Sequence, residues 1–184
     1  MKTVFTFALS FFCFFSKAQT THGGEDFFTS MNNKKNAAMG KPLPLFNAML
    51  KDSAVTNTNW LGKTVYLNFW FEGCAPCLAE FEVLEKMYTQ LKDSGDFVFA
   101  SFTFESPEKI EELKTKHKFR FPCLTVSREN CQRLNFGMGY PTHIILNKKG
   151  LVSYIDNGGS TDKRIAERMI MENLYRAVLK ALKP

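Results

Sequence analysis

The sequence predicts an α/β fold, a central mixed β-sheet flanked by helices and preceded by an N-terminal β-hairpin, on three observations. Apolar strands alternate with amphipathic helices through the middle of the chain, an antiparallel hairpin follows Pro141, and Cys74 and Cys77 sit three positions apart where a hydrophobic strand turns into a helix.

Each element has its own signal. Lys41-Pro42-Leu43-Pro44 opens the patterned region, and residues 45–49 and 54–56 read as the short hairpin that leads through Trp60-Leu61-Gly62-Lys63 to the first central strand. That strand, residues 65–70, is a continuous apolar run of the kind buried on both faces. Pro76, Leu78, Phe81, Leu84, Tyr88 and Leu91 follow at helical spacing, with proline in the first turn. After the turn Asp93-Ser94-Gly95-Asp96, residues 97–104 form a second buried strand, and Ser106-Pro107-Glu108 begins another helix with the serine as cap. Strand, helix, strand, helix implies a parallel pair joined by right-handed crossovers. A short strand at residues 123–126 and a brief helix near 129–135 come next. Residues 143–146 and 151–155 then make an antiparallel hairpin around Asn147-Lys148-Lys149-Gly150, and a helix over about 162–182 closes the sheet after Gly158-Gly159.

The amino-terminal residues read as an address. Met1-Lys2, an apolar run over residues 4–15 and Ser16-Lys17-Ala18 have the pattern of a secretory signal cleaved after Ala18. The apolar run is short for a bilayer span, so membrane anchoring by residues 4–15 is the lesser expectation. Residues 19–40 are polar and turn-rich and read as a flexible arm, which leaves residues 41–184 as one domain. A chain of 184 residues, 45% hydrophobic with 19 Phe, carries enough apolar area for a substantial core. Its formal charge of +6 is spread over helical faces, where solvation is the ordinary meaning, so no nucleic-acid partner is inferred.

The chemistry lies in the paired cysteines. The unpaired amides of a helix start face the first thiol, and their partial positive charge favours its thiolate, the species that attacks disulfides. Two structural cysteines or half of a zinc site are the plainer alternative. A four-cysteine zinc site needs a second close pair, however, and Cys123 and Cys131 are eight apart. Those two are read as separate buried thiols, with a structural disulfide or a second exchange site as the other outcomes. An exported dithiol also needs a partner that recharges it, a membrane-bound protein among the candidates, and the sequence does not choose whether that partner reduces or oxidises.

Taken together, Gly40-Lys41-Pro42, Leu67-Asn68-Phe69-Trp70, the cysteine pair and Gly139-Tyr140-Pro141-Thr142 before an apolar strand resemble the thioredoxin fold, specifically the exported TlpA/ResA-like thiol-disulfide oxidoreductases. The resemblance spans residues 41–183 and implies a periplasmic or otherwise exported enzyme without cofactor or bound metal. Its implied partners are protein disulfides and thiols, such as those of apocytochromes in cytochrome c maturation or of other envelope proteins. It further implies that Cys74 is the nucleophile, Cys77 the resolving thiol and Pro141 a cis-proline whose loop, with Gly139 and Tyr140, receives the substrate backbone beside Trp70. Glu105, at the end of the second strand, matches an acidic residue of that group and is expected to exchange a proton with Cys77.

Two departures stand out. Gly73 replaces the usual tryptophan before the first cysteine, and Glu72 brings a carboxylate whose charge opposes the thiolate. The rival function is a copper or zinc metallochaperone on the same fold, using Cys74, Cys77 and His143 as ligands. Peroxidase chemistry is disfavoured, because the cysteines open the helix as an exchange pair.

Overall fold

A computed structural model describes residues 23–50 and 53–183. The seven strands β1 (Asn47–Leu50), β2 (Ser53–Thr56), β3 (Thr64–Phe69), β4 (Phe97–Thr103), β5 (Cys123–Thr125), β6 (Thr142–Leu146) and β7 (Val152–Asn157) form one sheet in the order β2-β1-β5-β4-β3-β6-β7. β3, β4 and β5 are parallel, whereas β6, β7 and the β1–β2 hairpin run antiparallel to their neighbours. The hairpin joins the sheet through a single pair, Met49 with Thr125. The expected mixed sheet and amino-terminal hairpin are both present.

All six residues of β3 are buried. Because side chains alternate along a strand, Tyr66 points to one core and Val65, Leu67 and Phe69 to the other. The Tyr66 side is covered by α2 (Ala75–Leu91), α3 (Pro107–His117) and the carboxy-terminal helix, through Phe81, Leu84, Ile110, Leu174 and Val178. The opposite side packs on Phe46, Trp60, Ala38 of α1 (Gly23–Ala38) and Leu134 of α4 (Arg128–Leu134).

Two elements differ from the sequence expectation. Residues 23–38, read as a loose turn-rich arm, are the helix α1, with Ala38 buried. Its tethers are distant: the Lys34 Nζ donates to the Gly137 carbonyl at 2.8 Å and the Lys35 Nζ to Asp156 Oδ1 at 2.7 Å. The carboxy-terminal helix is divided into α5 (Lys163–Met169), a π-helical turn (Ile170–Tyr175) and α6 (Arg176–Leu182). Its buried residues Ala166, Ile170, Leu174 and Val178 recur every fourth position. On a regular α-helix that stripe drifts by about 40° per step, and the wider π turn reduces the drift. The proposed signal at residues 1–18, with Cys13, lies outside the described residues.

Cys123 and Cys131 are free, buried and assigned to different cores, as read from the sequence. Burial raises both thiols to about 12, from 9.0. In the unfolded chain they ionise near 9, so the unfolded state releases protons first as pH rises, and stability is lost progressively between pH 9 and 12. Denaturant titrations over that range are expected to show the decline, and Cys131→Ala should flatten it by as much as about 1.4 kcal/mol per pH unit. At pH 8, iodoacetamide should label neither thiol until the chain is unfolded.

Candidate active site

The strand β3 ends at Phe69, opposite Thr142 of β6 on one side and Phe102 of β4 on the other. Three loops therefore meet at one edge: residues 70–74 after β3, residues 104–106 after β4 and residues 139–141 before β6. Carboxyl ends of neighbouring parallel strands form such functional edges generally.

Cys74 and Cys77 are joined by a disulfide at the start of α2. Cys74 caps the helix, its Sγ accepting from the Cys77 amide at 3.3 Å, and Pro76 lies in the first turn. Cys74 keeps 5% of its surface exposed and Cys77 only 1%, which matches an outer attacking sulfur and an inner resolving one. The Tyr140–Pro141 bond is cis. Gly139 spends its carbonyl inward, on Asn135 Nδ2 at 2.9 Å and Thr142 Oγ1 at 2.7 Å. The Tyr140 backbone, by contrast, makes no hydrogen bond among the described residues.

Glu105 is not arranged as expected. Its Oε1 accepts from the Glu72 amide at 2.8 Å, so the carboxylate braces the loop ahead of the cysteines. The buried carboxylate is Glu80, one helical turn beyond Cys77 and 2% exposed. A Cβ on Gly159 would stand 2.5 Å from Glu80 Oε1, 3.0 Å from Pro141 Cγ and 3.4 Å from Pro76 Cβ. Only glycine fits there, and this closely packed loop joins Glu80, the cis-proline and the start of α2. The sequence did hold a signal for Glu80, an acid on the buried side of a helix beside Phe81 and Leu84.

His143 is turned away from metal binding. Its Nδ1 is hydrogen-bonded to the Tyr66 hydroxyl at 2.8 Å, and its Nε2 faces Glu80 Oε2 at 3.3 Å, without the alignment of a hydrogen bond. Burial and then the Glu80 charge push Tyr66 well above its ordinary ionisation, and with a carboxylate facing Nε2 the tautomer that suits both neighbours has Nδ1 accepting from the phenol. The imidazole hydrogen then belongs on Nε2, toward Glu80. With both ring nitrogens directed at protein groups and both sulfurs in a disulfide, the metallochaperone reading gains no support.

Trp70 also departs from its expected role. It is fully buried, edge-on to Phe81 and Phe119, and so supports the site from beneath. The half-buried rim comes instead from Phe71, stacked on Phe104 at 5.5 Å and edge-on to Tyr140 at 5.2 Å. Glu72 pairs with Lys109 at 3.2 Å, which offsets the charge expected to oppose the thiolate.

Known proteins share this arrangement. The chain is 29% identical over 113 residues to the thioredoxin-like protein YneN of Bacillus subtilis, covering 60% of this chain and 66% of that one, just under two thirds of its length. It is 29% identical over 147 residues to the thiol-disulfide oxidoreductase ResA of Geobacillus thermodenitrificans, covering 78% and 82%. A crystal structure of a thiol:disulfide interchange protein from Chlorobium tepidum superposes with a TM-score of 0.60 at 21% identity, covering 79% of this chain and 99% of the other. The fold is thioredoxin-like. The Redoxin family matches residues 38–173, from the last residue of α1 into the carboxy-terminal helix, and with about three quarters of its length so matched the chain belongs to the Redoxin family.

Proposed function

We propose that the chain is an exported thiol-disulfide oxidoreductase that reduces disulfides in proteins of the cell envelope. The observation that carries this reading is the Cys74–Cys77 disulfide at the first turn of α2, beside the unpaired backbone of Tyr140. The names of the relatives YneN and ResA support the same chemistry.

The reaction balances as two thiolate attacks. In the reduced enzyme the Cys74 thiolate attacks one sulfur of a substrate disulfide, forming a mixed disulfide and expelling the other substrate sulfur as thiolate. The Cys77 thiol loses its proton and attacks Cys74 Sγ, which re-forms the Cys74–Cys77 bond and releases the second substrate thiolate. Two electrons have then passed to the substrate, and the enzyme stands in the oxidised state described above. A separate dithiol partner, membrane-bound in our reading, returns the electrons. Substrates that fit include apocytochrome cysteines, whose haem attachment requires free thiols.

The two thiols have different means of ionising. Cys74 has the helix start and the Cys77 amide, whereas Cys77 is buried and has Glu80 one turn away. Glu80 is therefore the base we assign to the resolving step, with His143 Nε2 facing its Oε2 at 3.3 Å.

Cys74→Ser is expected to abolish reduction of a protein disulfide, and Cys77→Ser to accumulate enzyme–substrate mixed disulfides on non-reducing gels. Equal trapping by both variants would sink the assignment of roles. Glu80→Gln should slow the resolving step by about a hundredfold in stopped-flow measurements, with the first attack less affected. Glu105→Gln should leave both steps near wild type, because the amide oxygen still accepts from Glu72; the reverse pattern would return the role to Glu105. Export is checked by mass: secreted from a bacterial host, the protein should begin at Gln19, and retention of residues 1–18 would refute cleavage.

A further inference from the structure

A cavity of about 520 Å³ opens between α1 and the loop that carries Gly139 and Tyr140. Phe27, Phe28 and Met31 form its helix side, and Gly158 closes its far end. Phe27 is 54% and Phe28 70% exposed, large apolar side chains in edge-to-face contact at 5.7 Å with each other. Scattered exposed apolar residues are ordinary, but paired phenylalanines walling a cavity are not. The helix is fixed there by the Lys34–Gly137 and Lys35–Asp156 contacts and by Asn157 Nδ2 against Met31 Sδ at 3.8 Å. Both lysines that reach this region are thus engaged, and the open surface is neutral and apolar.

Tyr140 belongs both to the cavity and to the aromatic rim ahead of Cys74, where it meets Phe71. A polypeptide whose cysteine is held at Cys74 and whose backbone lies along Tyr140 must send its next residues over this surface, at about 3.3 Å per residue. We propose that α1 and the Gly139–Tyr140 loop form a specificity groove for the substrate segment flanking the attacked cysteine, and that the groove selects an extended, uncharged segment with a bulky apolar side chain. The proposal rests on the reading of Cys74 and Cys77 as an exchange pair acting on proteins. The apolar walls and the engaged lysines decide against an acidic segment. Tyr140, which lines the cavity and also offers the free backbone beside the cis-proline, makes the substrate, and not an unrelated partner, the occupant.

The test uses the full chain, Phe28→Ser, Phe28→Leu and three oxidised substrates: cystamine, and two disulfide-bonded peptides that differ only in carrying Leu or Ser beside the cysteines. Wild type is expected to reduce the Leu peptide with a kcat/KM about tenfold above the Ser peptide. Phe28→Ser should lose that preference through KM while its rates on cystamine and the Ser peptide stay unchanged, and Phe28→Leu should restore it. Equal rates on both peptides for wild type, or a preference that survives Phe28→Ser, would overturn the groove. So would a wild-type dimer in sedimentation that Phe28→Ser dissolves, since the surface would then belong to a second copy. An enzyme that reduces none of the three would fail as an oxidoreductase, a result distinct from activity without preference.

Discussion

The pairing of β3 on both edges is the constraint on which the site depends. From Thr64 to Phe69 it runs parallel to β4 and from Val65 to Phe69 antiparallel to β6, with every residue buried. The cysteine loop, the Glu105 loop and the Tyr140–Pro141 loop converge because this double register ends all three strands at one edge. A slip of one residue along β3 would exchange its two core faces, placing Tyr66 among Leu67's partners, so burial on both sides holds the register firmly. The catalytic geometry is thus a by-product of core packing on both faces of β3.

Against that apolar background the polar groups beneath the disulfide are costly. Asn68 Nδ2, Trp70 Nε1, Glu80 Oε2 and His143 Nε2 are all buried without a hydrogen-bond partner. Native interiors leave few such groups, and an orphaned one costs about 1–3 kcal/mol. Their concentration between β3, β6 and the first turns of α2 marks a place where stability has given way to function. The Glu80–His143 contact fits this view. The two side chains face each other at 3.3 Å, unaligned and out of water, next to the inner cysteine.

How much of this was legible in the sequence follows from the range of each interaction. The strands, the helices and the exchange pair are written locally, in apolar periodicity and in Cys74-Ala75-Pro76-Cys77, and the expected architecture agrees with the observed one. The helix α1 was missed because Asn32-Asn33-Lys34-Lys35-Asn36 carries no strong apolar stripe, and its tethers lie more than a hundred residues away. Glu105 stands out in the sequence and the burial of Glu80 does not, for a related reason. Strand ends announce an edge site, but which carboxylate is buried depends on Gly159 closing over α2, a contact between residues 79 positions apart. Trp70 sits next to the cysteine loop in sequence, and only the alternation of β3 shows that it turns into the core.

The departure at Gly73 has its physical reason in the same rim. A Cβ there would stand 3.0 Å from the Phe71 ring, so the glycine lets that ring fold back over the loop. Phe71 then stacks on Phe104, whose ring also meets Tyr140 and carries the Arg128 guanidinium at 3.7 Å from its centroid. An aromatic side chain therefore lies over the cysteine loop although the position immediately before Cys74 is Gly73. It is supplied by the chain two residues earlier and held by β4 and α4. Glu72, between Phe71 and Gly73, is held in the same way, its amide by Glu105 and its carboxylate by Lys109. The loop is thus braced from α3 and from the end of β4, and Cys74 meets its substrate from a fixed position.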